Sequence, residues 1–461
     1  MSHLKTISAT FLACLFSSHA FSTVYYEALI PCDSGSVYAI SLPEFIISDT
    51  ITTGEGAFGI VTNSTMTTAY VVNSNIDTVS VIDTATNTVV ATVPVGNTPY
   101  FAAITPDNSK VYVPNYVDDN VSVIDTSNNT VIATVTVGSN PYGLVVTPNG
   151  QKIYVTNTNS GNVSVINTSN NTVMATVTVG ANPLIPTTTP DGTYAYIPNY
   201  DDGTVSVINT NNDTVIATLT IGVGSHPSVV YVTPDGTKAY VPADGSNFVY
   251  VFNTSTNTEI GTISVGNAPE QVVFTANSAT AYVGNFNGNS ISIIDVVSDT
   301  VTGTISVSAN PDTLSITPDG TQLLLTHYTT PSTLDLIDLP SNTLIKTVTL
   351  GNHSSYIAYG VVSPPIMPPS SLSGVQKKQR FLSQTNIVDT IYWSTPSSGA
   401  TPVSYYVYRN NLQTLIGVVP ANGKLNFSDN NLQKRTPYTY YVVSVDIAGN
   451  QSSPISVTVL P

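Results

Sequence analysis

The sequence has few charged residues, few cysteines and no long apolar run in its interior. Charged residues make up 9% of the 461 residues, so solubility depends on Asn, Thr and Ser rather than on Lys and Glu. No stretch beyond the N-terminus approaches the roughly 20 apolar residues that a membrane-spanning helix needs. We therefore expect no membrane span, and short strands with tight turns rather than helices.

Cysteine occurs only at Cys14 and Cys32. Residues 1–22 have the pattern of a secretory signal peptide, because Lys5 precedes an apolar stretch and small residues follow at the cleavage positions. Processing would leave Cys32 alone, which excludes an intramolecular disulfide. We predict an exported protein located in the periplasm, at the cell surface or in the medium.

Arginine is absent between residues 21 and 366, where 25 Asp and Glu stand against four Lys, a net charge of −21. Residues 368–461 carry three acids and seven bases, a net charge of +4. The field of such an acidic body repels phosphates. The composition therefore predicts no nucleic-acid partner for the first part of the chain.

A repeated phrase fills that acidic part: VGxxP, TPDG, YVxN, VSVID and NTVxAT. Its prolines are Pro99, Pro141, Pro183, Pro227, Pro269 and Pro311, with spacings of 42, 42, 44, 42 and 42 residues. Each copy has four apolar stretches separated by Gly, Pro, Asn and Asp, which predicts a four-stranded antiparallel meander. A period near 42 with four strands per copy is typical of a β-propeller blade.

The VSVID element recurs eight times, beginning at Val79, Val121, Val163, Val205, Val249, Ile291 and Leu334 and in a degenerate form at residues 36–40. The first copy of the repeat lacks an opening strand, and residues 354–363 form an opening strand without the rest of a copy. Residues 24–53 and 354–363 should therefore share one composite blade, which closes the ring without open sheet edges. We predict an all-β fold with an eight-bladed propeller over residues 23–363.

Tyr154-Val155-Thr156-Asn157 spells YVTN, with close variants at residues 112–115, 196–199 and 282–285. On these residues the chain resembles the YVTN-repeat propellers, a family that includes surface-layer proteins of archaea and exported bacterial proteins. Most members are seven-bladed, so seven blades is the alternative count. The resemblance is specific for the fold and weak for the function.

The period stops at a Pro-rich linker, residues 364–369, and residues 370–461 follow a different pattern. Alternating strands, a single Trp393 in an early strand, and a Leu432…Tyr438 spacing suited to a tyrosine corner resemble a fibronectin type III domain. That resemblance implies a β-sandwich, and such domains are usually spacers or adhesion modules.

The loops after YVxN and at VGxxP should lie together around one mouth of the propeller channel, and they are acidic. Glu55, Glu270 and Asp312 lie near the VGxxP loops, and no Lys or Arg falls there. Such a mouth suits a cation or a basic partner, but the composition favours the simpler interpretation of a solvated acidic rim. The candidate ligand-binding residues from the YVxN loops are Asp118, Asp119, Asp201, Asp202 and Asp244, with the aromatic Tyr116, Tyr200, Phe286 and Tyr328.

Other recurrent polar residues favour structural roles. The loop asparagines at 73, 115, 157, 199 and 285 are expected to bond the backbone two residues on. Lys110, Lys152 and Lys238 should lie on the opposite face, near Asp107 and Asp235.

The functional prediction is a non-catalytic binding protein without a resident cofactor, with calcium as a possible ligand of the Asp and Asn loops and no assigned metal site. The expected partner is a protein or glycan at the cell surface or in the periplasm. Two alternatives stay open: an exported hydrolase like the propeller lactonases, against which the scarcity of Arg and His argues, and a structural element of a surface layer.

Overall fold

The structure is a computed structural model that describes residues 25–42, 44–354, 356–362, 369–381, 384–396, 402–430, 432–433, 435–445 and 451–461. The predicted signal peptide and most of the predicted linker lie outside these residues. The described residues divide into two compact units, one over residues 26–362 and one over residues 369–461. They contain strands and no helix, so no helix among them could cross a membrane.

The first unit consists of eight four-stranded antiparallel sheets, numbered here along the chain. Sheet 1 contains β1 (Tyr25–Cys32), β2 (Ser36–Ser41), β3 (Ile46–Thr52) and β32 (Ala358–Val362). Sheet 2 contains β4 (Ala57–Thr62), β5 (Thr68–Asn73), β6 (Thr78–Asp83) and β7 (Thr88–Pro94). Sheet 3 contains β8 (Ala103–Ile104), β9 (Lys110–Asn115), β10 (Asn120–Asp125) and β11 (Thr130–Thr136). Sheet 4 contains β12 (Pro141–Val146), β13 (Lys152–Asn157), β14 (Asn162–Asn167) and β15 (Thr172–Thr178).

The remaining four sheets of this unit repeat the order. Sheet 5 contains β16 (Thr187–Thr188), β17 (Tyr194–Asn199), β18 (Thr204–Asn209) and β19 (Thr214–Thr220). Sheet 6 contains β20 (Tyr231–Val232), β21 (Lys238–Ala243), β22 (Phe248–Asn253) and β23 (Thr258–Ser264). Sheet 7 contains β24 (Pro269–Phe274), β25 (Thr280–Asn285), β26 (Ser290–Asp295) and β27 (Thr300–Ser306). Sheet 8 contains β28 (Pro311–Ile316), β29 (Gln322–His327), β30 (Thr333–Asp338) and β31 (Thr343–Thr349).

Burial explains the strand sequences. The YVxN and VSVID strands are buried along nearly their whole length, as in β13 and β14, because a neighbouring sheet covers each face. In the order of the repeat, the fourth strand of each sheet, which is β3 in sheet 1, is mostly exposed, as in β15. In all eight sheets the pairing of the third and fourth strands is interrupted by a register shift. Such irregularities protect an exposed edge from pairing with another chain.

Turn residues of one sheet also bind the next sheet. The turn before the fourth strand holds an Asn or Asp with positive φ in seven sheets, a conformation these side chains tolerate. In sheet 5 that residue is Asp213, which accepts a hydrogen bond from Tyr154 of sheet 4 and pairs with Lys152 at 2.8 Å. Lys238 pairs in the same way with Asp299 of sheet 7. Lys238 does interact with Asp235, as the sequence predicts, but the hydrogen-bond acceptors of Lys110, Lys152 and Lys238 belong to the following sheet.

Sheet 1 is composite, as the sequence predicts: β32 pairs with β1, more than 300 residues earlier in the chain. The last strand also joins its neighbours on both sides. The Val361 amide donates to the Met66 carbonyl at 2.8 Å, and the Tyr359 hydroxyl donates to Ser315 Oγ of sheet 8 at 3.0 Å. Sheets 2 to 8 contact one another in series. Because β32 of sheet 1 contacts both sheet 2 and sheet 8, the series of contacts returns to sheet 1.

A fully buried asparagine ends the YVxN strand in sheets 2, 3, 4, 5 and 7. In sheet 5, Asn199 Nδ2 donates to Thr204 Oγ1 and to Ser206 Oγ, both at 3.0 Å, and Oδ1 accepts from the Gly180 amide at 3.1 Å. A Cβ on Gly180 would lie 2.7 Å from the Asn199 Cγ, so this approach requires glycine. The predicted structural role is correct, but the partners are the neighbouring strand and the VG glycine rather than the backbone two residues on.

The second unit contains two antiparallel sheets. One has the order β33 (Ser371–Phe381), β34 (Gln384–Ser394) and β37 (Asn426–Asp429). The other has the order β36 (Leu415–Pro420), β35 (Ser404–Arg409), β38 (Tyr438–Val445) and β39 (Ile455–Val459). Buried Trp393 and Tyr405 pack edge to face between them, with centroids 5.5 Å apart.

Polar contacts also join these two sheets. The Tyr440 hydroxyl donates to Asp389 at 2.9 Å and lies 3.0 Å from Asp429, which pairs with Arg409. Tyr438 Oη accepts the Gln433 amide at 3.2 Å, a contact of the kind that the Leu432…Tyr438 spacing predicts. The assignment to the fibronectin type III fold stays a prediction.

The composite sheet predicts a sharp difference between two shortened chains. A chain of residues 23–362 should be monomeric and cooperatively folded, because β32 covers the edge of β1. A chain of residues 23–350 should aggregate and melt at a lower temperature, because that edge is unpaired. Size-exclusion chromatography and thermal melting compare the two, and equal melting temperatures with two monomers would contradict the closure by β32.

Candidate functional site

One end of the first unit, called the mouth below, carries the candidate site. It is the end at which the first strand of each sheet begins and the second strand ends. Register shows this directly, because the VGxxP proline pairs with the YVxN asparagine, as Pro141 does with Asn157 and Pro269 with Asn285. The two groups of loops that the sequence places together therefore do share one end.

Two of the predicted ligand residues hold loops of sheets 3 and 4. Asp118 accepts from the amide and from the side chain of Asn97, at 2.8 and 2.6 Å, and these hydrogen bonds lower the pKa of Asp118. Asp119 accepts from the Asn140 amide of the next VGxxP loop at 2.9 Å. Both carboxylates thus have backbone donors and fix the loops in place.

The second Asp pair has a similar arrangement. Asp202 accepts from the Ala181 amide at 2.7 Å, and Asp201 lies 3.4 Å from Asn182 Nδ2. The paired aspartates therefore lie at the rim and contact the loops, which favours a structural role for them.

The predicted tyrosines take part in two similar stacks at the rim. Tyr200 stacks on His226 with ring centroids 4.6 Å apart, and His226 Nδ1 lies 3.4 Å from Asp244. The stack spans the junction of sheets 5 and 6, so Asp244 is the predicted loop aspartate that faces an aromatic pair. The loop before His226 includes the fully exposed Val223.

The second stack lies at the junction of sheets 8 and 1. Tyr328 stacks on His353 at 4.3 Å, and His353 Nδ1 lies 3.7 Å from Asp33. Phe286 packs against Tyr328 at 5.9 Å. The stacking of the two histidines on the loop aromatics is not predicted by the sequence and is found only in the structure.

The residue after the VGxxP proline position occupies equivalent places in successive sheets, and it shows the chemistry of the mouth. We call this set the mouth ring. In sheets 2 to 8 it consists of Phe58, Tyr100, Tyr142, Leu184, Ser228, Glu270 and Asp312, and its member in sheet 1 lies outside the described residues. Three consecutive sheets therefore contribute aromatic rings, and two consecutive sheets contribute carboxyl groups.

The aromatic half of the mouth ring is packed. Phe58 and Tyr142 are buried together with Phe101 and Tyr356, with ring centroids 5.0 to 5.5 Å apart in edge-to-face contacts. Tyr100 is partly exposed on top of this cluster. Tyr116, a predicted ligand residue, packs against Tyr100 at 5.7 Å.

The acidic half of the mouth ring consists of Glu270 and Asp312. Burial raises the pKa of Glu270 from 4.5 to about 9, and repulsion by Asp312 and Asp244 adds to the shift. Burial raises the pKa of Asp312 from 3.8 to about 8, with a further contribution from Asp33. The Asp312 side chain is 3% exposed, and its Oδ2 has no hydrogen-bond partner among the described residues.

No cationic side chain of the first unit offsets these carboxyls. All four lysines between residues 25 and 362 make contacts elsewhere: Lys110, Lys152 and Lys238 with the following sheets, and Lys346 with the Glu44 carbonyl. Among the titratable groups near the acids, only His226 and His353 could carry positive charge. The sequence places Glu270 and Asp312 near the VGxxP loops, but the site prediction omits them in favour of the more numerous loop aspartates.

Two further reactive groups are enclosed. His327 replaces the buried asparagine in sheet 8, donates from Nδ1 to the Ala309 carbonyl at 3.1 Å and contacts Asp335 through Nε2 at 2.8 Å. Cys32 is buried, and its desolvation raises the pKa of the thiol. In the described part of the chain no three His, Cys, Asp or Glu side chains come together in a group that could hold a metal ion.

Comparison with known proteins identifies the fold. A family model described as YNCE-like beta-propeller matches residues 55–362, two thirds of the chain. No curated relative matches the sequence.

Three solved structures with the same fold are similar to this chain. Dihydro-heme d1 dehydrogenase NirN, solved in complex with DHE, is 17% identical over 75% of this chain and 78% of its own, with a TM-score of 0.61. Apo AztD from Citrobacter koseri is 12% identical over 73% of this chain and 98% of its own, with a TM-score of 0.56. Hydrazine synthase from Kuenenia stuttgartiensis is 20% identical over 64% of this chain and 96% of its own, with a TM-score of 0.50. Identities this low show the fold alone.

The raised pKa values predict how stability depends on pH. The folded state holds protons on Glu270 and Asp312 up to about pH 9 and 8, whereas the unfolded chain releases them near 4.5 and 3.8. Stability from these groups is therefore complete below pH 4 and is lost as pH rises through 8 to 9. Each proton held only by the folded state removes about 1.4 kcal/mol from the free energy of unfolding per pH unit.

Denaturant unfolding of the wild type between pH 5 and 9 should show this decline, and Glu270→Gln with Asp312→Asn should reduce its slope. The histidine contributions are common to both proteins and leave the difference unchanged. Equal slopes would show that the two carboxyls titrate normally.

Proposed function

The chain belongs to the YNCE-like beta-propeller family, and we propose that it is a non-catalytic binding protein whose mouth takes a positively charged ligand or a basic segment of a partner. The eight sheets of the first unit would be the eight blades of a closed ring. The sheet-to-sheet contacts through β32 support that count over the alternative of seven.

The observation that carries the proposal is the pair of carboxyl groups in the mouth ring, of which Asp312 is buried and Glu270 is partly buried. Burying a carboxylate without a partner is costly, and the protein gives Glu270 and Asp312 no lysine or arginine. A ligand that brings positive charge would supply the missing partner. The rim adds Asp33 and Asp244, so the field at the mouth attracts cations before they bind.

Binding is favoured over hydrolysis by the placement of the histidines. His226 and His353 stack on tyrosines at two separate junctions, and His327 is fully buried with Asp335. A lactonase-type hydrolase would need accessible catalytic groups close together. The surface-layer alternative has the support of the family resemblance only.

The setting of this function is also a proposal. The signal-like residues 1–22 support export to the periplasm, the cell surface or the medium. The second unit, as a fibronectin type III-like module, would act as a spacer or adhesion domain. Among the expected partners, an acidic mouth favours a basic protein segment over a neutral glycan.

Labelled oligolysine, oligoglutamate and a neutral oligosaccharide test the proposal against the mature protein, residues 23–461, in fluorescence anisotropy at one fixed low salt concentration. Oligolysine alone should bind. The double variant Glu270→Gln with Asp312→Asn should weaken that binding at least about tenfold, since it removes both carboxyl groups that would ionise against the bound cation.

The matched control is Asp49→Asn with Glu259→Gln, which removes the same number of carboxyl groups from exposed outer strands. It should bind oligolysine like the wild type. Equal losses in the two double variants would mean attraction by net charge alone and would overturn the assignment to the mouth, as would binding of oligoglutamate or the oligosaccharide in place of oligolysine.

A further inference from the structure

We propose that the mouth recognises a primary ammonium group, R–NH₃⁺, held between the carboxyl groups of Glu270 and Asp312 with its carbon chain against the aromatic half of the mouth ring. This inference rests on the proposed function and names its ligand class. Its support is the unpartnered carboxyl oxygen of Asp312, the enclosure of that carboxyl group and the aromatic residues of the mouth ring.

The first step is the need for a hydrogen-bond donor. Only 3% of Asp312 is exposed, yet its Oδ2 atom has no hydrogen-bond partner among the described residues. Its neighbour in the mouth ring, Glu270, is only partly buried and lies close enough for the two charges to interact. Glu270 is therefore the more accessible of the two carboxyl groups, and a cationic N–H donor placed between them would bond to both.

The second step excludes the described residues themselves as that donor. The Lys238 ammonium, in the sheet next to Glu270, contacts Asp299 at the other end of the strands. The nearest positively charged candidates, His226 and His353, each lie beside a rim aspartate instead. The described residues of the first unit therefore supply no cationic donor to this pair, and a ligand can supply one.

The third step separates an ammonium group from a metal ion. Calcium takes six to eight oxygen ligands at short distances. The four loop aspartates that could add oxygens, Asp118, Asp119, Asp201 and Asp202, contact their own loops, and the described residues hold no group of three metal-ligating side chains. The calcium expectation therefore has less support than an organic cation.

The fourth step concerns the opposite wall. In a ring of eight sheets, sheets 3 and 4, which carry Tyr100 and Tyr142, lie across from sheets 7 and 8, which carry the acidic pair. The link between the halves is Tyr356, which packs on Phe58 at 5.0 Å and whose pKa is raised by burial and, in part, by Asp312. Aromatic rings attract cations and also cover an alkyl chain, and carboxyl groups alone would not cover that chain.

The last step sets the degree of substitution. A quaternary ammonium has no N–H to donate to Asp312, and its methyl groups need space beside a carboxyl that is almost fully enclosed. A primary ammonium is compact and has three donors. The same chemistry occurs in a free alkylamine and in the lysine side chain of a protein.

Isothermal titration calorimetry of the mature protein with n-butylammonium, n-butanol and tetramethylammonium tests the class. n-Butylammonium should bind, n-butanol should not, and tetramethylammonium should bind at least about tenfold more weakly, the loss expected for hydrogen bonds to a charged group. Asp312→Asn should weaken n-butylammonium binding by a similar factor, whereas Asp49→Asn should leave it unchanged.

A second arm separates the two sources. A short glycine peptide with one central lysine is compared with the same peptide carrying acetyl-lysine. Tighter binding of the lysine peptide than of n-butylammonium indicates a protein partner, and weaker binding indicates a free amine. Either result requires that acetylation abolishes binding, and an acetylated peptide that binds equally would overturn the inference.

Failure of this inference differs from failure of the proposed function. If oligolysine binding depends on Glu270 and Asp312 but n-butylammonium fails to bind, or tetramethylammonium binds as well, the mouth binds cations and the ammonium assignment is wrong. If neither oligolysine nor n-butylammonium responds to the mouth substitutions, the proposed function itself is wrong.

Discussion

The geometry of the first unit depends on one repeated interaction, the buried asparagine at the end of the YVxN strand. In sheet 5, Asn199 ties its own strand to Ser206 of the next strand and to Gly180 of the VG loop. A buried amide with every group bonded specifies one arrangement, because leaving any of them unpaired is costly. In sheets 2, 3, 4, 5 and 7 the asparagine thus fixes where the first strand begins, and with it the position of that sheet's residue in the mouth ring, whereas in sheet 8 His327 takes its place.

That fixed backbone permits variable chemistry at one place. The residue after the proline position is Tyr100 or Tyr142 in one part of the ring and Glu270 or Asp312 in another, while the surrounding strands keep the same pattern. Elsewhere in the first unit, lysines form ion pairs with aspartates of the following sheet, as Lys152 does with Asp213. The carboxyls of the mouth ring lack such partners, and this contrast points to a ligand rather than to packing.

The sequence predicts much of the fold, because period, turn residues and strand pattern act locally. It also predicts the composite sheet, since the missing strand of the first copy and the extra strand at the end are both visible in the repeat. Side-chain partners in neighbouring sheets cannot be predicted in this way. Lys238 and Asp299, for example, are 61 residues apart, and no local sequence pattern relates them. The rim aspartates are conspicuous in sequence but contact their loops, whereas burial, which distinguishes Asp312, depends on the assembled ring.

The central claim is that the acidic half of the mouth ring holds a cationic ligand. A crystal structure of the mature protein with para-bromobenzylammonium tests it most directly, because anomalous scattering from bromine locates the ligand independently of any model of the site. The account predicts one strong bromine peak in the mouth, with the ammonium nitrogen in hydrogen-bond contact with the carboxyl groups of Glu270 and Asp312. A peak only at the rim loops of Asp118 or Asp201, or only outside the mouth, would contradict it.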